Sequence, residues 1–195
     1  NQAMNLLVKI VFTTALALAI PGLSYAQDPT RKPSSEAGAR KAFFENLKKI
    51  CGHRFAGETQ FPPDPNHPLA GKKLVMSVDS CNDREIRIPF VVGEDRSRTW
   101  ILTLSEKGLL FKHDHRHPDG TPDKITMYGG WAAEGGTPYL QRFPADEDTA
   151  KLIPEATTNV WTLEILPEKQ QFTYYLERNN QPRYRAVFSM KPLPD

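Results

Sequence analysis

The sequence has no excess of either charge, only two cysteines and no catalytic signature. Its 25 basic and 23 acidic side chains leave a formal net charge of +2 over 195 residues. General nucleic-acid binders carry a strong basic excess, so this balance argues against that class. The G-x-S-x-G turn of hydrolases and the H-E-x-x-H zinc motif are both absent. These absences favour a protein without catalytic activity.

Long apolar runs are also lacking, except for one short run near the start. Residues 10–20 follow Lys9 and contain no charge, but a transmembrane helix needs about 20 apolar residues. Small residues then precede Gln27, in the pattern that signal peptidases cleave. We therefore predict a secretory signal peptide over residues 1–26, cut between Ala26 and Gln27. The alternative is a short membrane anchor that stays uncleaved.

The exported part has the length of one domain and almost no net charge. Removing the signal peptide takes away one lysine and no acid, which lowers the net charge to +1. Residues 27–34 are polar and contain proline, so we predict a flexible leader there. A single domain is predicted over residues 35–195. It has no further segment that is apolar enough to cross a membrane.

The two cysteines, Cys51 and Cys81, both lie in the predicted exported part. An oxidising compartment makes their pairing the expected outcome. A reactive or metal-binding thiol pair is the alternative, although the C-x-x-C spacing is missing. Pairing would close a loop of about 30 residues, for which chain entropy predicts about 3–4 kcal/mol of stabilisation.

The apolar pattern predicts one helix followed by strands. Phe43, Leu47 and Ile50 form one helical stripe, which Ser34 or Ser35 can cap. Alternation with period two predicts strands near 74–78, 86–90, 99–104, 109–112, 161–165, 172–176 and 184–190, and weaker ones near 54–60, 123–128 and 136–143. A short helix is predicted around residues 146–153. We predict a mainly β fold, an antiparallel up-and-down barrel of about 8–10 strands; a β-sandwich or jelly roll is the alternative.

Aromatic residues on the predicted inward faces are candidates for contacting a ligand. A barrel of this size has room for side chains or for one small ligand. The candidates are Trp100, Phe111, His113, Trp131, Trp161 and Tyr174. Ordinary core packing is the alternative for these aromatic side chains. The pattern favours an exported, non-catalytic protein that binds a small apolar ligand.

Three alternating histidines extend one of the predicted strands. If the strand from Leu109 continues, His113, His115 and His117 share its inward face. The opposite face, predicted to be solvated, carries Leu110, Lys112, Asp114 and Arg116. Neutral imidazoles can bind a divalent metal ion such as zinc, so these histidines predict a metal-binding protein or a metal-dependent enzyme as the second candidate function.

The three histidines would span about 13 Å along a straight strand, so two of them can share an ion more easily than three. A further ligand would come from Asp119, Asp123 or His53. A solvated hairpin end, or a role in ligand contact or pH sensing, is the alternative reading of this run. Arg96 and Arg98 in a nearby charged turn could hold a carboxylate or phosphate, but the acids beside them favour a solvated turn.

Several stretches resemble a family of uncharacterised secreted bacterial proteins: IPFVVGEDRSRTWILT (88–103), GLLFKHDHRHPDGTPDKITMYGG (108–130) and TNVWTLEI (158–165). This resemblance runs from Phe44 to the end of the chain. It implies a periplasmic or secreted bacterial location and carries no activity.

The stretch FFENLKKICGHRFAGE (43–58) resembles the entry into lipocalin-like (calycin) barrels. The lipocalin G-x-W signature is missing, and Phe55 stands where its tryptophan would be. A third candidate function remains, an envelope interaction or structural protein with a solid barrel.

Overall fold

The computed structural model describes residues 35–194, which form a mainly β domain with one long helix at its start. The predicted signal peptide, the cleavage site between Ala26 and Gln27, and the leader at 27–34 lie outside the described residues. None of the helices within 35–194 has both the length and the apolar character that a bilayer crossing requires.

Eleven strands and two α-helices make up the described part of the chain. The strands are β1 (Arg54–Phe61), β2 (Leu74–Ser77), β3 (Ser80–Cys81), β4 (Glu85–Val92), β5 (Asp95–Ser105), β6 (Gly108–His115), β7 (Tyr128–Trp131), β8 (Leu140–Pro144), β9 (Val160–Leu166), β10 (Gln171–Arg178) and β11 (Gln181–Ser189). The helices are α1 (Glu36–Lys48) and α2 (Glu147–Leu152), and single 3-10 turns lie at Pro154–Ala156 and Pro167–Lys169.

Helix α1 begins and packs as its sequence predicts. The Ser35 hydroxyl accepts a hydrogen bond from the backbone N–H of Gly38 at 3.1 Å, which caps the first turn. Phe43, Phe44 and Leu47 are fully buried. The helix packs against β5, β6 and β8, so it lies over one end of the sheet.

The strands form a nearly closed antiparallel barrel. Their order is β7-β6-β5-β4-β2-β1-β11-β10-β9-β8, with β3 paired to β4. Ten strands therefore run in one continuous path, which confirms the predicted barrel and not the sandwich alternative. The strands predicted near 161–165, 172–176 and 184–190 correspond to β9, β10 and β11.

The run near 123–128 is a loop rather than the predicted strand, apart from Tyr128 at its end. The Asp123 side chain accepts a hydrogen bond from the backbone N–H of Ile125 at 3.0 Å. Met127 has a positive φ of 57°. An aspartate that bonds the backbone two residues on, followed by a residue in the left-handed region, favours a turn over an extended strand.

Two glycines allow β7 to lie close to both of its neighbours, Gly129 against β6 and Gly130 against the end of β8. A Cβ atom on Gly130 would lie 1.8 Å from the carbonyl oxygen of Pro144, and one on Gly129 would lie 2.0 Å from that of Phe111. No side chain fits at either distance, because both obstacles are backbone atoms. We call this contact between Gly129–Gly130 and Pro144 the closing seam.

Helix α2 supplies hydrogen bonds at the closing seam. The Thr149 hydroxyl accepts from the Gly129 N–H at 2.7 Å and donates to the Gly129 carbonyl at 2.8 Å. The Asp146 N–H also donates to that carbonyl at 2.9 Å. Lys112 of β6 forms an ion pair with Asp146 at 2.6 Å. The seam is therefore held partly by the turn and helix that follow β8.

Aromatic rings fill the middle of the barrel. Trp100 stacks between Phe90 and Tyr174, with ring-centroid distances of 4.6 and 4.7 Å. Phe111 packs against Phe143 at 5.1 Å. Rings at such distances contact one another directly, so aromatic side chains occupy the space where a central ligand was predicted.

The predicted disulfide between Cys51 and Cys81 is present, with a Cα–Cα distance of 6.3 Å. Cys51 follows α1, and Cys81 lies in β3. The bond therefore fixes the end of the helix to the strand region.

We expect Thr149→Val to lower the free energy of unfolding by about 1–3 kcal/mol, because it leaves the Gly129 N–H without its buried acceptor. Urea denaturation measures this loss. Thr157→Val is the matched control, since the Thr157 hydroxyl is exposed and donates only to the Pro154 carbonyl; its effect should stay within about 0.5 kcal/mol. Equal losses in the two variants would contradict the role of Thr149 at the seam.

Replacing both Cys51 and Cys81 with serine should lower the free energy of unfolding by about 3–4 kcal/mol, because the unfolded chain then regains the freedom of a loop of about 30 residues. Denaturation of the unchanged protein in a reductant should give the same loss. A reductant that leaves the unfolding midpoint where it was would show that the bond contributes no stability.

Candidate functional site

The end of the barrel opposite α1 carries most of the inward-facing polar groups. Arg40 and Asn46 of α1 donate to carbonyls of the loop 132–139, which follows β7. The loop 116–127 precedes β7, so it lies at the other end of the barrel. We call that end the mouth. It is framed by residues 62–73, 93–94, 116–127, 145–159 and 179–180, so the short helix α2 lies at this end of the barrel.

Arg98 is an arginine on the inner face of the barrel at the mouth. It lies two residues before the buried Trp100 on β5, and residues two apart in a strand share a face. Its neighbours across the sheet are Phe90 on β4 and His115 on β6. The Arg98 side chain is 27% exposed and forms an ion pair with Asp95. A positive charge thus lies partly buried above the aromatic core.

His113 lies below this layer and is fully enclosed. Its Nδ1 is 3.1 Å from the Tyr128 carbonyl, and its Nε2 is 3.0 Å from the Tyr174 hydroxyl. A carbonyl only accepts, so Nδ1 donates and the neutral ring accepts the tyrosine proton at Nε2. Burial lowers the pKa of His113 to about 3, against the hydrogen bond to Tyr128, which raises it.

His115 and Tyr128 form the next hydrogen-bonded pair, closer to the solvent. The Tyr128 hydroxyl is 3.0 Å from Nε2 of His115. Burial lowers the pKa of His115, and the charge of Arg98 lowers it further. Burial raises the pKa of Tyr128 to about 12, and Arg98 opposes this shift. The pair therefore favours neutral forms near neutral pH.

Tyr184 and His67 line the opposite side of the mouth. The Tyr184 hydroxyl is 3.0 Å from the Thr59 hydroxyl, and the His67 ring stacks on the Tyr184 ring at 5.4 Å. Burial raises the pKa of Tyr184, and the Arg98 charge again opposes the shift. Arg98 thus acts electrostatically on groups from both sides of the mouth.

Asp114 is buried on the outer face, where we predicted a solvated side chain. It is only 3% exposed, because loop 116–127 folds back over it. Arg116 donates to its carboxylate at 2.9 Å, and the Thr126 hydroxyl donates at 3.2 Å. Thr126 also accepts from the His115 backbone N–H at 2.7 Å, so Asp114 helps to hold the loop against β6.

The three histidines of the predicted metal site do not converge. His113 is buried, His115 is half-buried and His117 is exposed, because β6 ends at His115. The His117 N–H donates to the Thr121 carbonyl within the loop. Across residues 35–194, no group of three or more His, Cys, Asp or Glu side chains is placed to hold a metal ion.

Five of the six predicted ligand residues lie together in the barrel. His113 contacts Phe111 and Trp161, with ring centroids 4.6 and 5.1 Å apart, and Tyr174 and Trp100 stack beside them. Trp131 lies apart: it pairs with Leu110 on β6 and is 39% exposed.

Sequence reasoning considered Arg98 as a group that could hold a carboxylate or phosphate but favoured a solvated turn, and it did not select Tyr128 or Tyr184 as site residues. Arg98 lies two residues before Trp100, and this spacing was the signal available for its inward position. Tyr184 already belonged to the strand predicted near 184–190. The mouth that these residues form combines flat ring surfaces, neutral hydroxyl and imidazole groups, and one cation. Such a set suits recognition of a small planar molecule with a polar group.

Between pH 7 and pH 5 we expect the protein to lose about 2 kcal/mol of stability through His113 alone. The pKa of His113 is about 3 in the folded protein and 6.5 in the unfolded chain. As the pH falls, the unfolded chain therefore binds a proton at His113 before the folded protein does, which favours unfolding. The stability that depends on a neutral His113 is fully present above pH 6.5 and is lost as the pH drops towards 3.

Urea denaturation at both pH values measures the loss. His113→Gln should remove it, whereas His117→Gln at an exposed position should keep it. An unchanged pH dependence in His113→Gln would contradict a neutral, buried His113.

Comparisons with known proteins found no match to the chain. No protein-family model matches it, no curated protein matches it, and no solved structure matches it. The resemblances to secreted bacterial proteins and to lipocalins therefore gain no support from these comparisons. What the structure supports is the coarser description, a mainly antiparallel and nearly closed β-barrel.

Proposed function

We propose that this chain is an exported, non-catalytic barrel protein that binds a small ligand at its mouth. The observation that carries the proposal is the cluster of inward-facing polar and aromatic groups at one end of the barrel. These groups lie above a core of packed rings, at the end that α1 does not cover.

The mouth is a better location for the ligand than the centre of the barrel. Trp100, Phe111 and Trp161 are almost completely buried and lie within the aromatic core. A ligand at the centre would have to displace this packing, which costs stability. At the mouth, the rings of Tyr128 and His67 are partly exposed, and His67 stacks on the buried ring of Tyr184. An apolar planar part of a ligand can therefore pack against Tyr128 and His67.

Binding sites commonly pair such apolar surfaces with a few polar groups that orient the ligand. Arg98 and the hydroxyls of Tyr128 and Tyr184 are the polar groups of this kind at the mouth. We therefore replace the apolar ligand predicted from the sequence with a small molecule that has both a planar apolar part and a polar group.

The pKa values of the buried groups support binding over catalysis. An acid–base catalyst works best when its pKa lies near the working pH. Burial lowers the pKa of His113 to about 3 and raises that of Tyr128 to about 12. Both groups are therefore held far from the range in which they would exchange protons with a substrate.

The Cys51–Cys81 disulfide supports the exported part of the proposal. Disulfides persist in oxidising compartments and are rare in the cytosol. The signal-peptide prediction over residues 1–26 points in the same direction. A periplasmic or secreted location is therefore part of the proposed function.

The proposal predicts that a neutral planar probe, 2-naphthamide, binds at a single saturable site and changes the protein's tryptophan fluorescence. The protein is purified from the periplasm of an expressing bacterium and titrated with the probe. Tyr184→Leu removes the ring on which His67 stacks but keeps an apolar side chain, so it should weaken binding by about 3- to 10-fold.

Tyr175→Leu is the matched control, because Tyr175 lies on the outer face of the neighbouring strand, one residue after the inward Tyr174. Its affinity should stay unchanged. Equal loss in both variants, or binding without saturation, would contradict a site at the mouth.

A further inference from the structure

Arg98 is an unusual residue for the inner face of this barrel. The residues on either side of it across the sheet, Phe90 and His115, are aromatic, and Trp100 lies next in line on β5. An arginine can bury its apolar stem along such rings while its guanidinium stays near water. The guanidinium of Arg98 is thus held at the level where the mouth meets solvent.

A carboxylate already contacts this guanidinium within the protein. Asp95 Oδ2 bonds to Nη1 of Arg98, and Asp95 is itself 43% exposed at the start of β5. Among residues 35–194, Asp95 is the acid that forms an ion pair with Arg98. A guanidinium has five N–H donors in a planar fork that matches the two oxygens of a carboxylate.

Asp95 is positioned to be displaced. Its backbone pairs with Val92 beside an irregularity in the β4–β5 register, next to the turn at Gly93 and Glu94. Its second oxygen, Oδ1, accepts from the Ser97 N–H at 2.9 Å. Asp95 therefore keeps a local hydrogen bond if Arg98 turns to another carboxylate.

We propose that the mouth recognises a small organic acid through its carboxylate group, which Arg98 binds in place of Asp95, while the partly exposed Tyr128 and His67 rings pack against its planar part. This inference rests on the proposed function and names the chemical class of its ligand. Arg98 is a specificity-determining residue, and Asp95 is a built-in competitor that lowers the affinity for weakly matching anions.

The other charges near the mouth set limits on this recognition. Asp114 is neutralised by its ion pair with Arg116, on the outer face. Asp123 in loop 116–127 is a further acid near His115, and the hydrogen bond from the Ile125 N–H lowers its pKa. A ligand with one negative charge fits a mouth with one inward cation and acids nearby better than a multiply charged phosphate does.

The test compares two probes that share one ring system, 2-naphthoate and its neutral amide, 2-naphthamide. The unchanged protein should bind the carboxylate at least about tenfold more tightly, the gain expected for a charge-assisted hydrogen bond. Arg98→Gln should remove this preference and leave the affinity for the amide nearly unchanged. Asp95→Asn should raise the affinity for 2-naphthoate alone, by several-fold.

A neighbouring variant serves as the control. Arg96→Gln removes a charge beside Lys73 and Arg54 on the outer side of the hairpin. It should leave the preference for the carboxylate within about twofold of the unchanged protein. A loss with Arg96→Gln as large as with Arg98→Gln would overturn the proposal, because it would reflect only the overall charge of the hairpin.

The outcomes separate this inference from the proposed function. Binding of both probes with equal affinity overturns the carboxylate inference and leaves the mouth as a binding site; failure of both probes to bind overturns both. An equal loss for both probes in Arg98→Gln would show that Arg98 only holds the hairpin. If Arg98→Gln does not fold by circular dichroism, Asp95→Asn decides alone: a selective rise supports the inference and no rise overturns it.

Discussion

The close backbone contact at the closing seam is the constraint on which the rest of the barrel depends. Gly130 lies so close to the Pro144 carbonyl that no side chain would fit between them. Gly129 lies similarly close to the Phe111 carbonyl on β6. Because β7 is only four residues long, its position depends on this contact and on Thr149. Tyr128 begins that strand, so the stacking of Tyr128 on His113 also depends on the seam.

The same strand connects the seam with the mouth. Loop 116–127 joins β6 to β7, and it is held by Asp114 through Arg116 and Thr126. The outer face of β6 therefore anchors the loop, while the inner face carries His113 and His115 towards the ring cluster. Lys112, also on the outer face, reaches Asp146 ahead of α2. One strand thus fixes the barrel wall, the loop and the polar groups at the open end.

Much of the fold follows from local sequence patterns, whereas the site depends on contacts between distant strands. Period two predicted β9, β10 and β11, because each strand has one face in the core and short turns join them. The alternation that places His113 and His115 on the inner face does not extend to His117, because β6 ends at His115. Asp114 is buried by a loop whose path no local pattern reveals. Arg98 shares the face of Trp100, but the acids beside it also fitted a solvated turn, and only the barrel geometry distinguishes the two.

The pairing of β1 with β11 has a consequence for how the protein reaches its final form. The first long strand finds its neighbour in the last, through a register from Gly57 with Phe188 to Phe61 with Arg185. Contacts this far apart along the chain slow folding, since a large loop must close before they form. Until β11 is present, one edge of β1 has no partner strand. A chain synthesised from its amino end would thus keep an open barrel edge, which is prone to aggregation, until its final strand is made.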